Sequence, residues 1–316
     1  MSINHLGRSV RRVRLIALLQ ALLASIGPAP GVQPVDPLEG LTPRQKAGLV
    51  VVSGLPAPKG VAGVIVQRWS LGEPRPRNAL VFVDQEGGTA QTFGRLPPSA
   101  PASSYTSAQQ AFLSGRRTGR ALRRAGVHVD LAPVLDSTGG PLGSRHFRRP
   151  EFAGAFARGL GAGGVGACVK HFPGLGTARI STDESPQVHA AIRAGELAGF
   201  RRAIRAGVPC VMTSHAIYDR FGRRRASFSR RAYRFLRRTG FDGVAMTDSV
   251  SVFGSRFALV SARLAIRGGA DLVLYTNGRD AGRAIAALVP LARKGRLDEQ
   301  VERVLRLRRS LGLPAL

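Results

Sequence analysis

The stretch KHFPGLGTARISTDESP, residues 170–186, sets a Lys-His pair at the end of an apolar run and follows it with glycines, a proline and the acids Asp183 and Glu184. A lysine and an imidazole can donate to the hydroxyls of a polar substrate, and a carboxylic acid whose pKa is raised by burial can hand over a proton. Polar groups also follow other apolar runs: Asp84-Gln85-Glu86, Asp136, Ser214-His215, Thr247-Asp248, and Tyr275 with Asn277. Such groups make a site only if the fold gathers them.

The apolar runs are 61–67 (VAGVIVQ), 79–85, 127–136, 166–172 (GACVKHF), 208–216, 243–252 and 270–277. Each is apolar on both faces, as strands buried in a parallel sheet are. Between them lie segments of helical length and spacing, including 107–125, 152–161, 190–206, 230–238 and 261–267, with final helices over 280–313. This alternation predicts an α/β fold, a single (β/α)8 TIM-type barrel over 41–316, in which polar residues at the strand C-termini share one rim. A doubly wound open sheet would need a phosphate fingerprint that the sequence lacks. The stretch RWSLGEPRPR after Gln67 is too short and proline-broken for a full helix, which predicts an irregular first βα unit.

With 316 residues and 44% apolar content the chain can bury a large core. It carries 47 Lys and Arg against 19 acids, and only Lys46, Lys59, Lys170 and Lys294 are lysines. The arginines are spread over nearly every predicted helix, with few Tyr or Trp between them to stack bases, which argues against a dedicated nucleic-acid partner. Cys168 and Cys210 are too few for a disulfide framework and sit in apolar runs, which predicts buried core thiols. Arg8, Arg11, Arg12 and Arg14 precede an apolar run from Leu15 to Ile26. Residues 1–30 therefore read as a signal peptide or N-terminal anchor, with 31–40 as a Pro/Gly-rich linker. Export, by a secretory or twin-arginine-like route, or a membrane tether through that segment is the expectation; a basic helix of a cytoplasmic protein is the alternative.

The ordered motifs VFVDQEGGTAQTF (81–93), APVLDSTGGPLGSRHF (132–147), VKHFPGLG (169–176), VMTSHAIYD (211–219), GFDGVAMTDSVSV (240–252) and GGADLVLYTN (268–277) together resemble glycoside hydrolase family 3, most of all its single-domain β-N-acetylhexosaminidase branch. The resemblance runs from about Leu41 to the C-terminus. It implies that Asp248, in MTDS, is the nucleophile that forms a covalent glycosyl-enzyme. Asp84, Arg145, Lys170 and His171 match sugar-binding positions, and His215 lies at the rim beside them. It implies a carbohydrate partner, a monomer, and neither metal nor organic cofactor. The residues taken alone leave plainer roles open: a helix N-cap for Asp248, an ion-pair network for Asp84, Arg145 and Lys170, and a structural role for His215.

The sequence departs from that branch twice. Where the branch carries an Asp-Ser-His group whose histidine is the acid/base, this chain reads Ser181-Thr182-Asp183, which leaves Asp183 and Glu184 as candidate proton donors or as members of a solvated turn. Thr89 and Thr92 replace two arginines after the double glycine, so a bidentate donor is missing. The expected function is a retaining exo-β-glycosidase acting on terminal β-N-acetylglucosaminides of cell-wall or related glycans. The alternative is a catalytically impaired, glycan-binding barrel.

Overall fold

A computed structural model describes residues 36–185 and 187–314. The segment read as a signal or anchor lies outside the described residues, as does the first half of the linker, 31–35. The chain divides into a unit ending at Glu39, of which the turn Asp36–Glu39 is described, and a unit from Gly40 onward that holds every element discussed below.

In chain order the second unit runs α1 (Pro43–Gly48), β1 (Val51–Ser53), β2 (Gly63–Ile65), β3 (Leu80–Val83), a small hairpin of β4 (Gln85–Gly87) and β5 (Ala90–Gln91), α2 (Ala108–Arg124) and β6 (Val129–Asp130). It continues with α3 (Pro150–Ala162), β7 (Gly166–Phe172), α4 (Ala194–Arg205), β8 (Cys210–Thr213), α5 (Arg230–Arg237), β9 (Val244–Thr247), α6 (Ala258–Gly268), β10 (Val273–Leu274), α7 (Gly278–Ala292) and α8 (Asp298–Ser310). Eight parallel strands follow the order β10-β1-β2-β3-β6-β7-β8-β9, and a parallel bridge between Met246 and Leu272 joins the two ends into a barrel.

The seven apolar runs supply seven strands; the eighth, β1, was not expected from the sequence. Its three residues are fully buried between β10 and β2. Three residues are too few to show a period, so only their neighbours identify them as a strand. The irregular unit falls where the sequence predicted it: β2 and β3 are linked by a single 3₁₀ turn, Arg68–Ser70, with no α-helix.

Side chains from successive strands fill the barrel, among them Val52, Ile65, Phe82, Leu131, Met212, Met246 and Leu274. Outside it, α2 and α3 lie against each other through glycines: a Cβ on Gly115 would meet the Phe156 carbonyl oxygen at 2.3 Å. Arg308 of α8 is fully buried and donates to the carbonyl of Asn78, just before β3 begins, at 2.8 Å, and to that of Pro314, beyond the end of α8, at 3.1 Å. The expectation of two buried thiols is corrected. Parallel β7 and β8 set Cys168 opposite Cys210, with their Cα atoms 4.3 Å apart, and the two form a disulfide. Spacing of 42 along the chain carries no hint of this pairing, which arises only when the two strands become neighbours.

Candidate active site

The strand C-termini converge on a cavity of about 510 Å³. Its wall includes Asp84, Glu86, Arg145, Lys170, His171, Asp183 and Asp248, so six of the eight residues singled out from the sequence are brought together. A larger hollow of about 620 Å³ lies near the start of β7, between Arg123, Arg158 and glycine-rich segments, and no carboxylate lines it.

The DQEGG segment is held from both sides. Asp130 of β6 accepts from the Gln85 amide at 2.9 Å, and the Gln85 side chain bonds Phe93 N, Phe93 O and Leu96 O at 2.9, 3.1 and 3.0 Å. Gly87 (φ 99°) turns the hairpin so tightly that a Cβ would meet the Ala100 carbonyl at 2.2 Å. Alternation along the strand then puts Asp84 and Glu86 on one side. Lys170 donates to both, at 2.6 Å to Asp84 and 2.7 Å to Glu86, and Arg145 grips the two Glu86 oxygens as a fork, each at 2.8 Å.

Glu86 is the centre of this network, and it was not assigned from the sequence. Burial alone would raise its pKa, but the charges of Lys170 and Arg145 outweigh that and bring it down to about 2. Burial would lower that of Lys170, and Asp84 and Glu86 more than reverse the effect, so the ammonium stays charged. Lys170 and Arg145 therefore face the cavity as fixed cations with Glu86 as a fixed anion. Asp84 is the more open partner, its side chain 41% exposed against 3% for Glu86.

Asp136 is a second group whose role was not assigned. It accepts from His171 Nδ1 at 2.7 Å and from the amides of His171 and Leu175 at 3.3 and 2.8 Å. Burial works against a charged His171, but Asp136 and then Asp248 raise its pKa and favour the imidazolium. With Nδ1 committed to Asp136, Nε2 has no hydrogen bond among the described residues. The Lys170–His171 peptide is cis, and both side chains line the cavity.

Asp248 follows β9, its amide donating to Thr213 O at 3.0 Å in continuation of the ladder, and its Oδ1 accepts from Ser249 N at 2.8 Å. No α-helix starts there; a short 3₁₀ turn, Val250–Phe253, follows, so the carboxylate is not consumed as a helix cap. Burial would raise its pKa, yet the shift is downward, with His171 the leading opposing cause. Asp183 moves the other way: the residue is exposed, but desolvation of its carboxyl on the cavity wall and then the Asp248 charge raise its pKa, against His171 and Arg145. The loop carrying it is fixed at its ends. Thr177 Oγ1 accepts from Ala191 N at 2.6 Å, and Glu196 of α4 accepts from Gly176 N at 2.7 Å and Ser137 N at 2.9 Å.

Two sequence candidates stand apart from the cavity wall. Glu184 is exposed on the turn beyond Asp183. His215 is buried and spends both ring nitrogens on protein, Nδ1 on Ser227 Oγ at 2.7 Å and Nε2 on Ser249 O at 3.0 Å. Its partners suit a neutral ring, and burial lowers its pKa in the same direction. The geometry makes His215 a brace for the Asp248-Ser249 segment and leaves it no free nitrogen for a sugar, contrary to the substrate-binding expectation. Thr92 turns its hydroxyl to the Asp84 carbonyl at 3.1 Å and so offers the cavity no guanidinium-like fork.

Known proteins share this arrangement of chain. The family profile described as the glycosyl hydrolase family 3 N-terminal domain matches residues 66–307. A curated β-hexosaminidase of Stenotrophomonas maltophilia (strain K279a) is 33% identical over 228 residues, 64% of this chain and 68% of that protein. One from Chromobacterium violaceum is 31% identical over 257 residues, 73% of this chain and 72% of the relative. Among solved structures, a family 3 β-N-acetylglucosaminidase from Paenibacillus sp. str. FPU-7 superposes with a TM-score of 0.77 at 26% identity, covering 86% of this chain and 63% of that longer one. The β-N-acetylhexosaminidase of Beutenbergia cavernae DSM 12333 gives a TM-score of 0.72 at 26% identity, over 84% of this chain and 98% of its own. With the family domain extending over most of the barrel and the relatives' similarity running through it, the chain belongs to glycosyl hydrolase family 3.

Proposed function

We propose that the chain is a retaining exo-β-glycosidase that releases terminal β-N-acetylglucosamine, with Asp248 as nucleophile and Asp183 as acid/base. One observation carries the assignment: two carboxyls on one cavity wall have pKa values driven in opposite directions, Asp248 down and Asp183 up. A pair separated in this way favours ionisation in the group that attacks and protonation in the group that donates. The substrate class follows the β-hexosaminidase and β-N-acetylglucosaminidase relatives.

In the first step an Asp248 oxygen bonds to the anomeric carbon as the bond to the leaving oxygen breaks, and that oxygen takes the Asp183 proton. In the second, the Asp183 carboxylate removes a proton from water, whose oxygen bonds to the same carbon and releases Asp248 with overall retention. Lys170 and Arg145, fixed by Glu86, supply charged donors to the sugar hydroxyls, and His171 presents Nε2. The departing glycan is protonated by Asp183 where the branch otherwise uses a histidine. Asp248→Asn should lose turnover of an aryl β-N-acetylglucosaminide by on the order of 10⁴-fold while keeping the wild-type circular dichroism and melting behaviour. Retained activity in that variant, or saccharide binding by the wild type with no hydrolysis of any β-N-acetylglucosaminide, would sink the proposal.

A further inference from the structure

The chain contains a single tryptophan, and the fold leaves it 78% exposed. Tryptophan carries a large apolar face that proteins ordinarily cover, so its position needs a reason. Trp69 lies in the 3₁₀ turn Arg68–Ser70, two residues beyond Gln67, and Gln67 and Ile65 line the site cavity. That turn replaces the helix that would otherwise follow β2.

The turn is locked rather than loose. Ser70 is buried, its amide donates to Gln67 O at 2.9 Å, and its hydroxyl accepts from Gln67 N at 3.0 Å. Arg68 Nε donates to the Gln91 carbonyl, which ties the turn to the hairpin whose Ala90 also lines the cavity. The backbone at Trp69 is thus held by its two neighbours, both anchored to cavity-wall segments, while its own side chain stays in water. An indole, with two side-chain torsions on a fixed backbone, offers a broad apolar face at little cost in side-chain entropy on binding.

We propose that Trp69 is a platform for the sugar ring on the leaving-group side of the scissile bond, stacking against the apolar C–H face of a second β-linked N-acetylglucosamine unit. This rests on the reading of the cavity as the site of the terminal sugar. The occupant follows from continuity: a β-linked disaccharide whose terminal ring enters the cavity extends its second ring beyond the cavity wall, and the chain leaving that wall after β2 carries this exposed indole two residues past Gln67. Because stacking of that kind is made equally before and during bond cleavage, it sets KM rather than kcat.

The single tryptophan makes the test direct, since all indole fluorescence reports this position. In full-length Asp248→Asn protein, N,N′-diacetylchitobiose and N,N′,N″-triacetylchitotriose should shift Trp69 emission to shorter wavelength, while N-acetylglucosamine, bound in the cavity, should not. Calorimetry on the same samples measures occupancy independently. Trp69→Ala in the otherwise wild-type enzyme should raise KM for the trisaccharide severalfold with kcat nearly unchanged, and Trp69→Phe should restore most of the loss. Saturating trisaccharide binding by calorimetry with no change in emission overturns the platform and leaves the cavity assignment intact. No calorimetric binding of any of the three sugars overturns both. Emission that shifts with protein concentration and not with sugar also overturns it, in favour of contact between copies of the chain.

Discussion

Replacing Glu86 by Gln removes the carboxylate shared by Lys170 and Arg145 while keeping its shape. Lys170 retains Asp84, at 2.6 Å, so the variant is not left with a wholly unpaired buried lysine. Holding the Glu86 carboxyl at about 2 in the fold, against an ordinary value of 4.5, stabilises the native state at neutral pH by about 3 kcal/mol. The sign follows from a depressed acid: the contribution is complete above about pH 4.5 and is lost as the pH falls toward 2. Urea unfolding of wild type and Glu86→Gln should thus differ by about 3 kcal/mol at pH 7 and by only about 2 kcal/mol at pH 3.5. A gap that is unchanged or wider at pH 3.5 would refute the electrostatic reasoning. So would a gap at pH 7 of about 1 kcal/mol or less, the size of an exposed pair.

Asp183→Asn should reduce turnover of N,N′-diacetylchitobiose by about 10²- to 10⁴-fold but cost much less on an aryl β-N-acetylglucosaminide whose leaving group needs no proton, with added azide restoring part of the rate. Equal losses on both substrates would remove Asp183 from the acid role. The pH profile of kcat/KM should fall on the acid side as Asp248 becomes protonated, below the ordinary aspartate value, and on the alkaline side as Asp183, whose pKa is raised, loses its proton. Asp183→Asn should flatten the alkaline limb; a limb that persists in the variant belongs to another group.

Much of the barrel was legible because β7, β8, β9 and their neighbours are apolar on both faces and are separated by segments of helical spacing, patterns that a single strand or helix imposes on its own residues. The strand-end polar groups were legible for the same reason: a run that stops being apolar marks where the chain leaves the core. Asp84, Lys170, His171 and Asp248 were found this way, in three motifs, whereas Asp183 came from its place in the loop where the resembling branch carries a histidine. Glu86 stood in view beside Asp84, and the period of two along a strand would have placed both on one face.

From sequence alone, then, came the alternation that demands a parallel barrel and the set of groups that its rim would carry, because local periodicity is a property of neighbouring residues. Tertiary structure decided which of those groups act on which. It set Glu86 between Lys170 and Arg145, gave His171 to Asp136, spent both nitrogens of His215 on Ser227 and Ser249, brought Cys168 to Cys210, and made a strand of Val51–Ser53. Each of these depends on how the strands and the loops that follow them meet across the barrel, and a partner's distance and charge, which set the opposite shifts of Asp183 and Asp248, exist only once the barrel has closed.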